Sequence, residues 1–294
     1  MTSVLEQPFD SSIVGWEVAI SVSEPDPEEL AARGVSKAHV DHAFKEIARQ
    51  LLAAGAPLAY GGDFRRGGYT ERLIGILNEY ADGRRPEKEC IRQYLAWPIW
   101  ETSDATDRAK LNRVATVLPG PPPEVGAADP AAFDPVASPA ARAVWADSLT
   151  RMRERMTEAM SARVVLGGRL VDHRSRFPGL VEEAFLAARA RKPLYVLGGF
   201  GGCASCLAQL VRGQRPAALT QEWQLDRTRG YEQLLEGVGA VDWETMLDTI
   251  HRSGPGRVPN GLSDEENEVL LDTADLDLVV ALVLRGLRAL ALSR

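Results

Sequence analysis

The sequence contains few of the residues that build disulfide frameworks and metal centres. It has three cysteines and four histidines in 294 residues. Three cysteines are too few for a disulfide framework, and the histidines are not spaced to complete a four-ligand zinc site with them. We therefore expect no metal centre and no resident cofactor.

Excess positive charge and long apolar runs are also missing. The net charge is −7, whereas nucleic acids and anionic membranes are bound by clustered positive charge. The most apolar stretch, residues 276–292, is interrupted by Asp277, Arg285 and Arg288, which is typical of a packed helix rather than a membrane span. The first residues lack the basic and apolar regions of a secretion signal. These features predict a soluble cytoplasmic protein with neither nucleic acid nor a membrane as a partner.

The apolar residues that are present predict the fold class. They make up 45% of the chain, which is enough for a sizeable core. Apolar runs of strand length alternate with helical patterns, which is typical of βαβ units. We predict an α/β fold with a doubly wound, mostly parallel, Rossmann-like sheet. The predicted strands are residues 18–22, 57–60, 91–96, 163–166 and 193–197, and the predicted helices are residues 36–54, 70–80, 140–159 and 178–190.

Residues 119–139 are rich in proline, alanine and glycine and show no periodicity, which predicts a long surface loop. The segment is also suited to a domain linker. We favour a single domain over residues 1–294, because the strands on both sides need neighbours in the same sheet. Its core spans about residues 15–215, and a mainly helical extension follows over residues 216–294, in which Ser263 and Glu266 form a capping box.

Glycines and small polar residues follow four of the predicted strands. Open α/β sheets bind ligands outside the carboxyl ends of their strands, where glycines let backbone N–H groups approach phosphate oxygens and helix N-termini favour anions. One glycine pair alone is explained by a tight turn, but several at successive strand ends favour a ligand site. None is a GxGxxG that leads directly into a helix, so an ordinary dinucleotide site is not supported. The candidate ligand-binding residues are Ser21, Ser23, Gly61, Gly62, Asp63, Gly67, Gly68, Gly167, Gly168, Gly198 and Gly199.

Arginines lie beside two of these glycine pairs. Arg65, Arg66 and Arg169 are candidate phosphate partners, because a guanidinium holds two oxygens at once. The alternative for each is a solvated loop charge. Arg174 and Arg176, in the loop before Pro178, fit either role.

Glu182 and Glu183 lie in the first turn of the helix predicted from Pro178. Carboxylates there stabilise a helix through its dipole. A carboxylate facing the pocket would instead hold ribose hydroxyls or stabilise an oxocarbenium-like centre. Cys203 and Cys206 form a CxxC at a predicted helix start, which suits a redox thiol. Small residues packing beneath a glycine loop are the favoured explanation of that motif.

Two segments carry motifs that resemble those of the SLOG superfamily. This group includes the LONELY GUY phosphoribohydrolases, the lysine decarboxylase-like proteins and SLOG domains fused to TIR or sirtuin effectors. Residues 40–77 resemble a helix, strand and YGGG-type turn, here Tyr60 to Asp63. Residues 161–199 resemble the PGGxGTxxE strand, glycine loop and helix.

The resemblance implies roles for individual residues. Ser21 and Ser23 are similar to a Gly-Ser-Ser element, and Gly167 and Gly168 to the paired glycines. Gly179 then matches the glycine of the GT pair, and Glu183 the catalytic glutamate. Relatives also imply a homodimer or higher homo-oligomer.

The chain departs from the enzyme pattern at three places. Leu166 replaces the motif's proline, Leu180 replaces its threonine, and an inserted loop carries Arg169 and Arg174. These changes resemble the SLOG branch that senses nucleotides in bacterial conflict systems, including a domain that binds a cyclic ADP-ribose signal.

Two functions follow from this resemblance. One is a sensor or processor in a bacterial defence or signalling system that binds a nucleotide or NAD-derived phosphate ligand, of the ADP-ribose or cyclic ADP-ribose type. The other is a nucleoside-phosphate N-glycosidase, in which Glu183 and Arg169 are catalytic. The lost threonine and the inserted arginines favour binding, and the retained glutamate keeps hydrolysis open. Glu182 and Glu183 belong to the ligand-binding set in either case.

Overall fold

Six parallel strands form one sheet in the part of the chain that the structure describes. The structure is a computed structural model, and it describes residues 13–62, 64–80, 87–123, 133–255 and 257–293. The strand order is β4-β3-β2-β1-β5-β6, and every pairing is parallel. The strands are β1 (Val18–Ser23), β2 (Leu58–Gly61), β3 (Ile91–Leu95), β4 (Thr116–Pro119), β5 (Ala162–Gly167) and β6 (Leu194–Leu197).

Helices connect the strands and continue after the last one. The described helices are α1 (Pro27–Ala32), α2 (Lys37–Ala53), α3 (Tyr69–Tyr80), α4 (Glu87–Cys90), α5 (Trp97–Glu101), α6 (Ala105–Val114), α7 (Pro139–Ala159), α8 (Gly179–Arg189), α9 (Gly202–Val211), α10 (Gln221–Arg227), α11 (Tyr231–Val238), α12 (Trp243–Ser253), α13 (Asp264–Asp272) and α14 (Leu276–Leu292). None of the described helices is long and apolar enough to cross a membrane.

Apolar residues on both faces of the sheet build two clusters. In β5, Val164 belongs to one cluster and Val165 to the other, since successive strand residues point to opposite faces. Helices α2, α3 and α14 supply the first cluster, and α7, α8, α9 and α12 the second. The sheet is therefore covered on both sides, and the doubly wound Rossmann-like prediction is confirmed.

The order of the strands creates a switch point beside β1. The chain runs outward from β1 through β2 and β3 to β4, and then returns to place β5 on the other side of β1. The connections after β1 and β5 therefore leave in opposite directions. Such a divergence opens a crevice at the carboxyl ends of the two strands.

The five predicted strands are present, each with ends within one residue of the prediction. Strand β4 was not predicted. It has four half-buried residues at the sheet edge and ends at Pro119, so it shows neither a buried apolar run nor an alternating pattern. Helices α1, α4, α5 and α6 were also missed; three of them are shorter than seven residues. Residues 120–123 and 133–138 contain no helix or strand, Pro119 and Pro139 belong to β4 and α7, and residues 124–132 of the predicted loop lie outside the described residues.

The C-terminal segment covers the free edge of β6. Asn260 donates from Nδ2 to the carbonyl of Leu194 at 3.2 Å, and Tyr195 donates from its hydroxyl to the carbonyl of Asn260 at 2.5 Å. The predicted capping box at the start of α13 is confirmed, because Ser263 and Glu266 each accept the other's backbone N–H.

Gly198→Ala tests how closely α13 packs on the end of β6. A Cβ at Gly198 would lie 2.1 Å from the carbonyl oxygen of Leu271. We expect a loss of about 2–3 kcal/mol in the free energy of unfolding, because backbone atoms would have to move. Gly75→Ala is the control: nothing lies within 4 Å of that Cβ position inside α3, so we expect a gain of about 0.5–1 kcal/mol. Equal effects of the two changes in urea denaturation would contradict this account.

Candidate functional site

A cavity of about 550 Å³ opens at the carboxyl ends of β1 and β2, next to β5. Its walls are the loop between β2 and α3, the start of α8, one side of α7, and the loop between β5 and α8. This is the crevice that the strand order creates, and it is the place where open α/β sheets bind ligands.

Most of the candidate ligand-binding residues meet at this cavity. Gly67 and Gly68 line it just before α3, and Gly179 lines it at the start of α8. Asp63 lies outside the described residues. The candidates that line the cavity are Ser21, Ser23, Gly61, Gly62, Arg65, Arg66, Gly67, Gly68, Arg169, Arg174, Gly179 and Glu183.

Glu183 is held by two arginines and a serine at the floor of the cavity. It is only 6% exposed. Its Oε2 accepts hydrogen bonds from the hydroxyl of Ser21 and the guanidinium of Arg163, and its Oε1 lies 3.5 Å from Nε of Arg153. Arg163 also donates to Oγ of Ser21 at 2.7 Å. The carboxylate is therefore charge-compensated, and both of its oxygens already face cations.

Glu182 does not line the cavity, although it precedes Glu183. It is buried, accepts a 2.6 Å hydrogen bond from Arg153, and accepts another from the hydroxyl of Thr150. Successive helix residues point about 100° apart, as 3.6 residues per turn require, so the two carboxylates face different surroundings, although Arg153 contacts both. Glu182 therefore packs between α7 and α8, and its ligand contact stays a prediction.

Gly167 and Gly168 also lie outside the cavity lining. Their φ angles are 64° and 110°, which favour glycine. A Cβ at Gly168 would lie 2.7 Å from Cβ of Cys203, and the carbonyl of Gly168 accepts from the backbone N–H of Cys203 at 2.9 Å. These glycines let β5 end directly against α9, which is a packing role; their ligand contact stays a prediction.

Gly198 and Gly199 are likewise used for packing. A Cβ at Gly199 would lie 2.3 Å from the carbonyl oxygen of Thr273. The following helix start is already occupied, because the backbone N–H of Gly202 donates to the carboxylate of Glu29 at 2.8 Å. An anion at this end of β6 would have to displace the protein's own carboxylate, and the ligand contact of Gly198 and Gly199 stays a prediction.

The rim of the cavity carries unbalanced positive charge. Arg66, Arg169 and Arg174 line it, are exposed, and form no ion pair within the described residues. Of the three lining carboxylates that the structure describes, Glu24 is paired with Lys37 at 2.5 Å, Glu183 is held by arginines, and the exposed Asp172 offsets one of the three arginine charges. The cavity therefore favours an anionic ligand even though the whole chain is acidic.

One wall of the cavity is apolar. Ile99, Leu149 and Met152 line it together with Trp145. The indole of Trp145 stacks on Phe133 with centroids 6.3 Å apart and an interplanar angle of 5°, and the guanidinium of Arg174 lies 5.6 Å from the indole centroid. An aromatic plane thus stands next to a cationic rim.

Helices of the C-terminal extension contact the β5–α8 loop, which we define as residues 168–178. Gln224 hydrogen-bonds His173 at 2.9 Å, and the hydroxyl of Tyr231 donates to the carbonyl of Arg176 at 2.8 Å. These contacts were not predicted, and neither were the site residues Arg153, Arg163 and Trp145. Arg163 could have been found from the sequence, because a charged residue inside an otherwise apolar strand needs a buried partner.

The CxxC cysteines do not have the environment of reactive thiols. Burial raises the pKa of Cys206 to about 12 and raises that of Cys203 well above its usual value. The thiol of Cys203 donates to the carbonyl of Arg169 at 3.2 Å. The thiolate, which is the reactive form, is therefore disfavoured. No group of three or more His, Cys, Asp or Glu side chains suited to a metal ion occurs among the described residues.

The fold and the cavity define the class: a doubly wound, Rossmann-like α/β protein with a cationic cavity at the switch point of its sheet. A family model described as SLOG cluster2 matches residues 12–270. The chain therefore belongs to this SLOG family, and the predicted superfamily resemblance is confirmed. No curated protein matches the chain. The match includes α10 to α12 and most of α13, so the family extends beyond the predicted core.

The pH dependence of stability tests the burial of His173. Burial lowers the pKa of its imidazole from the usual 6.5 to about 4, against the opposing effect of the hydrogen bond with Gln224. The unfolded chain therefore takes up a proton at a higher pH than the folded chain. The stability that neutral His173 provides is complete above about pH 6.5 and is lost as the pH falls towards 4.

We expect wild type to lose about 2–3 kcal/mol more than His173→Gln between pH 7 and pH 4, given about 1.4 kcal/mol for each pKa unit. Glutamine keeps a donor and an acceptor but does not titrate. Urea unfolding of both proteins across this range measures the difference. Parallel stability curves would show that His173 does not titrate as a buried group.

Proposed function

We propose that this protein binds a nucleotide in the switch-point cavity. The observation that carries the proposal is the convergence of Arg66, Arg169 and Arg174 on one cavity without carboxylate partners in the described chain. Guanidinium groups bind phosphate oxygens in pairs. A ligand with one or more phosphates balances their charge.

The apolar wall supports a nucleotide over free phosphate. Trp145, Leu149 and Ile99 provide a surface on which a base can stack, and the arginines stand beside it. A volume of about 550 Å³ lies within the usual range of small-molecule sites, roughly 300–1,000 Å³. The two kinds of wall match the two ends of a nucleotide.

The start of α8 adds a further anion contact. Gly179 lines the cavity, and a Cβ there would lie 2.8 Å from Nη2 of Arg153. Glycine at this position lets a guanidinium lie against the first turn of an eleven-residue helix. The N–H groups of a helix start favour a phosphate, while Arg153 stays paired with the carboxylates of Glu182 and Glu183.

An N-glycosidase is the second candidate function, because Glu183 lines the cavity. In that case Glu183 would stabilise charge at the ribose, and Arg169 would assist at the phosphate. The contacts of Glu183 favour binding instead. A carboxylate that holds Arg163 and Ser21 would have to give up these partners to approach a sugar.

The finer identity rests on the resemblance to nucleotide-sensing SLOG domains. We propose an ADP-ribose or cyclic ADP-ribose type of ligand, in a bacterial defence or signalling system. We also propose a homodimer or higher homo-oligomer, as that resemblance implies, and a cytoplasmic location. The arginine-bearing loop, which distinguishes this chain from the LONELY GUY pattern, supports the sensor function.

Arg169→Ala and Arg174→Ala test the anion contacts. We expect each change to weaken binding of ADP-ribose about 10- to 100-fold, since a hydrogen bond between charged groups contributes about 1.5–3 kcal/mol. Both side chains are exposed, so thermal stability should change little. Calorimetry with AMP, ADP-ribose, cyclic ADP-ribose and NAD measures the loss.

Arg189→Ala is the matched control for these variants. Its guanidinium also stacks on an aromatic ring, 5.4 Å from the centroid of Phe185, but it does not line the cavity. We expect its affinity to equal that of wild type. Unchanged affinity in folded Arg169→Ala and Arg174→Ala variants would remove both arginines from the site.

Glu183→Gln separates binding from hydrolysis. For a sensor, we expect a modest change in affinity and no release of free base by wild type. For a glycosidase, the change should leave binding largely intact and lower turnover by orders of magnitude, because the negative charge acts mainly in the transition state. Product analysis after long incubation with each nucleotide decides between them.

Glu182→Gln is the control for the lost ion pair. Glu182 and Glu183 are both buried and both form an ion pair with Arg153, but Glu182 does not line the cavity. We expect Glu182→Gln to lower stability about as much as Glu183→Gln does, while its affinity for nucleotides equals that of wild type. Free base from wild type that disappears in Glu183→Gln alone would overturn the sensor proposal.

A further inference from the structure

We infer that helices α10 and α11 are part of the ligand site, with Gln224 and Tyr231 as positioning residues. They hold the β5–α8 loop so that Arg169 and Arg174 face the cavity. The identity of the ligand rests on the proposed function. Helices α10 and α11 lie outside the sheet and follow its last strand, β6.

Gln224 is fully buried and holds the loop at two points. Its Nε2 donates to the carbonyl of Leu170 at 3.1 Å and to that of Ala218 at 2.8 Å. These two acceptors fix the orientation of the amide, so its Oε1 accepts from Nε2 of His173 at 2.9 Å and from the hydroxyl of Thr228. A buried amide with all of its groups in use is costly to rearrange.

Tyr231 holds the loop at a third point. Its hydroxyl donates to the carbonyl of Arg176 at 2.8 Å and accepts from Nε1 of Trp243 at 3.2 Å. Its ring packs edge-on against His173 with centroids 5.6 Å apart. Burial raises the pKa of the phenol to about 12, so the hydroxyl keeps its proton and remains a donor.

The held points lie next to the exposed arginines in the sequence. Residues 168–178 contain no helix or strand, and Asp172 has a φ of 55°, a conformation that non-glycine residues adopt only where their surroundings maintain it. Arg169 precedes the contact at Leu170, and Arg174 lies between His173 and Arg176. Contacts from α10 and α11 therefore order the loop before a ligand arrives, which lowers the entropy cost of binding.

Tyr231→Phe tests the positioning role, with Tyr195→Phe as the matched control. Both changes remove a buried hydroxyl that donates to a backbone carbonyl, and the hydroxyl of Tyr195 bonds Asn260 away from the cavity. We expect Tyr231→Phe to weaken ADP-ribose binding about three- to tenfold, the equivalent of one hydrogen bond. It should also speed amide hydrogen exchange in residues 169–177 of the unliganded protein. Tyr195→Phe should leave both unchanged.

A double-mutant cycle with Arg174→Ala shows whether Tyr231 acts through the loop. If it does, Tyr231→Phe has a smaller effect when Arg174 is already absent. Gln224→Met, which keeps the side-chain volume, should loosen the same amides. Unchanged exchange in the loop, or an effect that is fully additive with both Arg169→Ala and Arg174→Ala, would overturn the inference.

The exchange measurement keeps this inference distinct from the proposed function. If wild type binds none of the four nucleotides, the proposed function fails. Exchange in the unliganded variants then decides alone whether α10 and α11 hold the loop. If wild type binds and the loop amides of Tyr231→Phe match those of Tyr195→Phe, the inference fails and the proposed function remains.

Discussion

The ion pair between Arg163 and Glu183 connects the parts of the site to one another. Arg163 is fully buried in a central strand, where an uncompensated charge costs several kcal/mol. Its charge is compensated by Glu183 of α8, and the hydroxyl of Ser21 in β1 accepts a hydrogen bond from the same guanidinium. Removing one member of a buried pair costs about 3–5 kcal/mol, because the other is left without compensation. The start of α8 is thus fixed over the junction of β1 and β5, and the floor of the cavity with it.

Arg153 extends this arrangement to α7. It bonds Glu182 and faces Glu183, so one helix is joined to the first turn of another across the sheet face. Arg66, Arg169 and Arg174 at the rim have no carboxylate partners in the described chain. Arginine therefore has two roles in this site. Buried arginines build the floor of the cavity, and exposed arginines keep their N–H donors available to a ligand. An acidic protein can hold an anionic ligand in this way, because local charge rather than net charge determines the potential inside a cleft.

Much of the fold was predictable from sequence, whereas only part of the site was. Central strands such as β5 are short apolar runs covered on both faces, and this pattern is strong; the half-exposed edge strand β4 leaves no such pattern. The glycine pairs show the limit more clearly. Gly61–Gly62 and Gly198–Gly199 look alike in sequence, yet the first pair lines the cavity and the second lies against carbonyls of α13 and the residues after it. Those carbonyls belong to residues about seventy positions further along the chain, and the sequence around a glycine pair does not indicate which distant residues pack against it.

The environment of Glu183 also bears on what the site can do. Catalysis needs an interaction that becomes stronger in the transition state than in the ground state. The oxygens of Glu183 already face the guanidinium groups of Arg163 and Arg153 and the hydroxyl of Ser21. The two guanidinium groups weaken the electric field of the carboxylate, so it stabilises a positive charge that develops nearby only a little. The same contacts suit a binding protein, because they keep the floor of the cavity in one conformation. The ordered β5–α8 loop does the same for the rim. A site that is ordered on both sides before its ligand arrives loses less conformational entropy on binding, and this order, together with the compensated charge of Glu183, supports the proposed receptor for a nucleotide.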